Sequence, residues 1–195
     1  MKNKVLGALA LALPLTVLAA PENYTLDPVH TYPHFEVDHL GVSTMRGSFN
    51  KSSGKFTIDH AAKTGSIELN VETASISTGD NDRGSRPRAR DEHLRTADFF
   101  NVAEFPRMTF KSTGVKFAGD NLVEIAGSLT LLGVTKPLAL KVERWVCKDH
   151  PVSKKPMCGG NASATLKRSD FGMKYGLPNV GDELKLFFEF EAYKD

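Results

Sequence analysis

Four arginines, Arg83, Arg86, Arg88 and Arg90, fall within eight residues with no acid between them. A guanidinium presents paired N–H donors that match a phosphate. The run is therefore a candidate contact for a pyrophosphate or anionic-lipid head group, and its alternative is a solvated loop. Asp80, Asp82, Asp91 and Glu92 flank it and cancel most of its long-range field. Six histidines, His30, His34, His39, His60, His93 and His150, raise the question of a metal. His34 and His39 fall on opposite faces of an alternating segment and would not share an ion. His39 shares a face with Phe35 and Val37, which reads as a buried histidine or a polar ligand contact rather than a zinc ligand. An enzyme acting on a lipid, a hydrolase or isomerase, would need groups such as His39, His93 and Asp98 to converge. Arg168 and Asp170, two residues apart on one face of a strand, read as a structural ion pair or a hydrogen-bond cluster at the barrel end. No nucleophile elbow, H-E-x-x-H, phosphate loop or dinucleotide fingerprint occurs, and no metal or cofactor is expected.

The positions of the charges and cysteines bound the setting. Lys plus Arg is 25 and Asp plus Glu is 23, too even for a nucleic-acid binder. Residues 1–20 read MKNKVLGALALALPLTVLAA. Lys2 and Lys4 precede an apolar stretch, Val5 to Leu18, that suits an export signal and is short for a bilayer span. Cleavage is expected after Ala19. The leader carries both excess positive charges, so residues 20–195 hold 23 charges of each sign. Export places Cys147 and Cys158 in an oxidising compartment. They enclose a short loop without C-x-x-C spacing, and a structural disulfide is the reading.

The elements that must position these residues alternate with period two, the mark of half-buried strands. Eight are expected: 32–40, 46–60 (bent near Gly54), 65–75, 106–117, 121–132, 137–146, 162–170 and 183–193. Ser52-Ser53-Gly54, Lys63-Thr64-Gly65, Gly119-Asp120-Asn121 and Val134-Thr135-Lys136-Pro137 carry turn chemistry. Val123, Ile125, Gly127, Leu129 and Leu131 are expected on one face. Residues 78–105 break the pattern, with a helix expected over Asp91–Phe100 and Leu94, Ala97 and Phe99 turned inward. The fold class is all-β, an eight-stranded antiparallel up-and-down barrel with a short helical insertion. Such a barrel is filled by its own side chains or holds one small ligand, and periodicity fits both.

Ordered blocks carry a resemblance across residues 20–195. They are Tyr24-Thr25-Leu26-Asp27 with Val29-His30-Thr31, then Phe35-x-Val37-x-His39-x-Gly41-Val42-Ser43 and Gly47-x-Phe49. Arg90-Asp91-x-His93-Leu94-Arg95-x-x-Asp98-Phe99-Phe100 and Phe105-Pro106-x-Met108-Thr109-Phe110 follow. Gly127-x-Leu129-Thr130-Leu131-x-Gly133-Val134-Thr135-Lys136-Pro137 and Arg168-x-Asp170-Phe171-Gly172-Met173 complete the set. The chain resembles the YceI-like family of exported, lipocalin-like polyisoprenoid-binding proteins. The resemblance implies a lipocalin-like barrel with an apolar bore for a long lipid, such as a polyprenyl phosphate or a ubiquinone-like tail. It also implies a periplasmic binding or carrier protein rather than an enzyme. The Cys147–Cys158 loop and the Arg-rich run depart from the general pattern.

A lipid carrier needs a continuous apolar lining and a polar rim, since each buried CH2 contributes about 0.8 kcal/mol. Phe35, Val37, His39, Leu69, Val71, Phe110, Leu129, Leu131, Leu140, Phe188 and Phe190 are the candidate lining. Phe99 and Phe100, with Phe105, would plug or gate one end. Arg86, Arg88, Arg90 and His93 are the candidate head-group contacts. A solid-core structural protein is the competing reading. A transient membrane contact and a homodimer are left open.

Overall fold

The computed structural model describes residues 20–195; the expected export signal, residues 1–19, lies outside the described residues. Eleven strands follow one another: β1 (Glu22–Leu26), β2 (Tyr32–His39), β3 (Ser43–Phe49), β4 (Ser52–Asp59), β5 (Thr64–Glu72), β6 (Ile76–Ser77), β7 (Arg107–Ala118), β8 (Asn121–Leu131), β9 (Val134–Asp149), β10 (Pro156–Lys167) and β11 (Val180–Lys194). Every pairing is antiparallel, and β1 pairs with both β4 and β11, which closes the sheet into a barrel. As β1 with β2, β3 with β4 and β5 with β6 are halves of longer strands, this is an eight-stranded antiparallel barrel.

The three interruptions lie side by side. Residues 27–31, 50–51 and 73–75 are joined by hydrogen bonds from Ser52 Oγ to the Thr31 carbonyl (2.6 Å), from the Asn50 N–H to the Ser75 carbonyl (3.1 Å) and from the Glu72 N–H to the Lys51 carbonyl (3.0 Å). They form a crease that satisfies its own backbone groups. The bend expected near Gly54 is therefore at Asn50-Lys51. Gly54 serves another need, because a Cβ there would collide with the Glu68 carbonyl oxygen on β5.

Two expected turns are strands. Ser52–Gly54 begins β4, and Val134–Pro137 begins β9. The β8–β9 turn is instead Leu132-Gly133, with φ of 51° and 73°, while the β2–β3 loop holds three residues, Leu40 to Val42, between paired His39 and Ser43, with Leu40 and Gly41 at φ of 62° and 65°. Positive φ at both central residues suits the twist of a two-residue hairpin, but costs a non-glycine residue about 1–2 kcal/mol. Leu132 packs against the core, whereas Leu40 is 57% exposed. On β8 the buried residue is Leu122 rather than Val123. A bulge, where Lys116 pairs with Glu124 but Phe117 with Leu122, flips the inward face.

The insertion also departs from expectation. Its helix, α1, spans only Arg90–Leu94. Thr96 closes it early, its hydroxyl and N–H both donating to the His93 carbonyl. Phe99 and Phe100 are both buried while Ala97 is exposed. Adjacent residues on a helix diverge by about 100°, so burying both phenylalanines requires the chain to leave the helix. Arg168, expected on a strand, begins a 3-10 turn, Arg168–Phe171.

Cys147 on β9 and Cys158 on β10 face each other in register and are joined as the expected disulfide. They lie at the end of the barrel that carries the chain termini; the insertion lies at the other end.

Candidate functional site: an apolar tunnel with an arginine-braced cover

Alternation aims one face of each strand along the barrel axis, and two apolar chambers lie there in line. Each has a volume of about 60 Å³. The first, toward the insertion, is lined by Phe35, Leu69, Val71, Phe100, Phe110, Leu129, Leu131, Leu140 and Phe188 among others. The second, toward the termini, is lined by Phe56, Trp145 and Phe190. Leu69, Phe110, Leu140 and Phe188 border both, so these four form the constriction between them. Since one water needs roughly 10–15 Å³ on this measure, each chamber takes a short hydrocarbon segment. A chain running through both requires the constriction side chains to turn.

Of the candidate lining, Val37, His39 and Phe99 border neither chamber. His39 is half-buried rather than buried. Residues not singled out from sequence complete the walls, among them Phe49, Met108, Leu184 and Trp145. Met108 and Phe49 stood in the quoted blocks, but their strands do not alternate cleanly. Trp145 reaches across the terminal end to Phe56 (ring centroids 5.7 Å) and Phe190 (6.1 Å).

The insertion covers the first chamber. Phe100 packs edge-on against Phe49, with centroids 5.3 Å apart, and so reaches the lining itself. Phe99, His93 and Tyr175 form a cluster of three rings at 5.1–5.3 Å, which ties the insertion to the loop before β11.

The arginines brace this cover. Arg86 donates to both Asp80 oxygens at 2.7 Å and to the Asp82 carbonyl at 2.6 Å. The Arg86 guanidinium holds the Asp80 carboxyl down at about 2. Arg88 lies 3.4 Å from Asp98, and His93 Nε2 lies 2.8 Å from the same carboxylate oxygen. Arg90 donates to the Thr78 hydroxyl at 2.7 Å and to its carbonyl at 3.2 Å, while buried Asp91 accepts from the Thr78 N–H and hydroxyl. Arg95, which stood in a quoted block but was given no role, donates to the Ala74 and Ile76 carbonyls at 2.9 Å each and joins the insertion to the edge of β6.

Arg168 is 1% exposed and does not pair with Asp170. Its guanidinium donates to the carbonyls of Gly181 (2.8 Å), Val180 (2.8 Å) and Met173 (3.1 Å). Burial pulls its pKa down, and Asp182 partly opposes this. Asp182 is in turn held below the usual carboxylate range by the Ser169 hydroxyl and N–H.

Of the lipid-enzyme triad considered, His93 and Asp98 meet. His39 belongs to the β2–β3 hairpin, and the described residues show no hydrogen bond from its ring to either. On the outer wall, Asp27, His30 and Glu191 bring their ligand atoms within 4.8 Å of one another. His30 Nδ1 lies 2.8 Å from Asp27 and 3.9 Å from Glu191, tying the first strand interruption to β11. The Asp27 carboxylate pushes the His30 pKa up.

Comparison with known proteins agrees with this architecture. The model of the YceI-like domain matches residues 24–192. The chain is 36% identical over 199 residues to a UPF0312 protein of Pseudomonas aeruginosa, an alignment covering all of both chains. It is 36% identical over 196 residues to Protein YceI of Salmonella arizonae, covering 98% of each. Among solved structures, the Campylobacter jejuni YCEI protein superposes with a TM-score of 0.67 at 26% identity, covering 81% of this chain and 90% of that one. A polyisoprenoid binding domain from Saccharophagus degradans superposes at 0.62 with 18% identity, covering 88% and 98%.

Proposed function

As this chain belongs to the YceI-like family, we propose that it binds and carries a long isoprenoid-type lipid, after export to the periplasm, with the hydrocarbon in the barrel axis. The observation that carries this is the pair of in-line chambers, walled almost wholly by hydrocarbon and joined at a four-residue constriction. An apolar chain gains from such a lining by leaving water and needs no directional contacts along its length. The polyisoprenoid binding domain of similar fold supports the ligand class. The role is binding rather than catalysis.

The bracing of the cover favours an uncharged, quinone-like head group over a phosphorylated one. Arg86 is matched by Asp80, Arg88 faces Asp98, and Arg90 is spent on Thr78. A phosphate would have to displace these partners.

Trp145 is the chain's one tryptophan and borders the second chamber, so its emission reports occupancy. Titration with a long-chain quinone is expected to give a saturable change, and a polyprenyl phosphate a weaker one. Organic extraction of protein from its native host, followed by mass spectrometry, should release a stoichiometric isoprenoid. If extraction yields no such lipid and neither titration saturates, the reading is wrong. If Arg86→Gln with Arg88→Gln weakens the phosphate far more than the quinone, the head-group assignment is wrong.

A further inference from the structure

Among the described residues, eight large apolar side chains are exposed, and four of them sit together. Leu40 (57%) and Val42 (84%) form the tip of the β2–β3 hairpin; Tyr175 (48%) and Leu177 (36%) lie on the loop before β11. The two loops adjoin, since the Leu40 N–H donates to the Asn179 carbonyl at 2.7 Å. Both are at the insertion end, and Tyr175 stacks edge-on with Phe99 and His93 of the cover. Water-facing loop tips ordinarily carry polar residues, and a turn position at positive φ favours Gly or Asn. Here a leucine holds the strained position while facing solvent.

Lys174 supplies the charge. It is exposed beside Tyr175, and among the described residues it forms no ion pair. Aliphatic tips, an amphipathic aromatic and an unpaired lysine match the layers of a phospholipid surface: acyl chains, interface and phosphate.

We propose that Leu40, Val42, Tyr175 and Leu177, with Lys174, dock the insertion end of the barrel on a phospholipid bilayer. This rests on the tunnel reading above, because a bilayer is where a long isoprenoid is dissolved. Docking presents the cover to the membrane, so the chain need not cross water to reach the first chamber.

The test is flotation of residues 20–195, a closed barrel without the apolar leader, with ligand-free vesicles of phosphatidylethanolamine and phosphatidylglycerol. The protein should float. The Leu40→Asn, Val42→Ser double variant should float at least about tenfold less. Val152→Ser, at an equally exposed valine (85%) on the opposite end, should float like the parent. Lys174→Gln should reduce flotation on these vesicles but not on vesicles of phosphatidylcholine alone. Asn accepts the left-handed conformation more readily than Leu, so an unchanged or raised melting temperature shows that any loss is not unfolding. Failure of the parent to float, or equal flotation of the double variant, overturns docking while leaving the Trp145 titration of the tunnel unaffected. If that titration shows no isoprenoid binding yet flotation still depends on the tips, the tunnel reading fails and docking stands.

Discussion

Arg168 shows how much a single buried side chain organises. A cation out of water requires compensation, and here three main-chain carbonyls supply it, Met173 from the loop before β11 and Val180 and Gly181 from the start of β11 itself. Replacing it with methionine keeps the volume but leaves three carbonyls unsatisfied in the interior. Arg168→Met is expected to lower the unfolding free energy by about 3–5 kcal/mol, read from the urea midpoint. A loss below about 1 kcal/mol would mean that water replaces the guanidinium. Of the two expected forms, an ion pair with Asp170 or a hydrogen-bond cluster at the barrel end, the cluster is the one present. The ion pair does not form because the chain turns at Arg168 and redirects the side chain into backbone acceptors. Arg86 is the opposite case. Its short, bidentate pair with Asp80 is half exposed, so competing water and salt leave it a minor contributor to stability.

At the scale of elements, β9 and β10 carry the terminal end. Beyond Lys141, β9 pairs with β10 alone, because its register with β8 stops at Glu124 opposite Lys141. The disulfide joins the two strands across that stretch, and Cys158 is buried beside Tyr24, Leu26 and Phe56. Closing a loop of 11 residues should contribute about 3 kcal/mol in the loop-entropy model. The Cys147→Ser, Cys158→Ser variant is expected to lose about that much. Its amide exchange should rise first in β9 residues 142–149, while β7 and β8 stay protected. Uniform acceleration across the barrel would show that this hairpin is not a separate unit of stability. The insertion is braced differently, by Arg95 on the carbonyls of Ala74 and Ile76 and by Asp91 on Thr78.

For the whole molecule, charge ties stability to acidity. Glu22 is held below the usual carboxylate range by the Lys194 ammonium and the Tyr24 hydroxyl, Asp182 by Ser169, and Asp80 by Arg86. A carboxyl with a lower pKa folded than unfolded contributes stability above its unfolded value, and loses it as pH falls through the folded value. The unfolded values are near 3.8 for aspartate and 4.5 for glutamate. Stability should therefore hold above about pH 4.5 and fall between there and about pH 2. Denaturant midpoints across that range would show it, and Asp182→Asn should give a shallower acid limb. An unchanged midpoint down to pH 2 would contradict the pairing.

How much could be read in advance divides along the distinction between local pattern and assembled geometry. Alternation in β5, β9 and β11 was legible because one face of each strand is apolar and the period is two. The disulfide was legible because only two cysteines occur. Crease and short helix were not legible, since each satisfies a partner remote in sequence: Ser52 with Thr31 and Phe100 with Phe49; the bulge was not, because periodicity does not show where the pairing of β7 with β8 slips. The same holds at the site. Inward-facing apolar residues such as Leu129 and Phe188 declared themselves by spacing, but spacing cannot say whether opposed side chains meet or leave a gap. Nor can it say that Arg86 and Arg90 turn back onto their own segment instead of toward a ligand. Composition and period thus determined an all-β barrel with an apolar interior. Only tertiary packing decided that the interior holds two chambers, and that the arginines brace their cover. The volume left inside depends on how side chains from all eight long strands interdigitate.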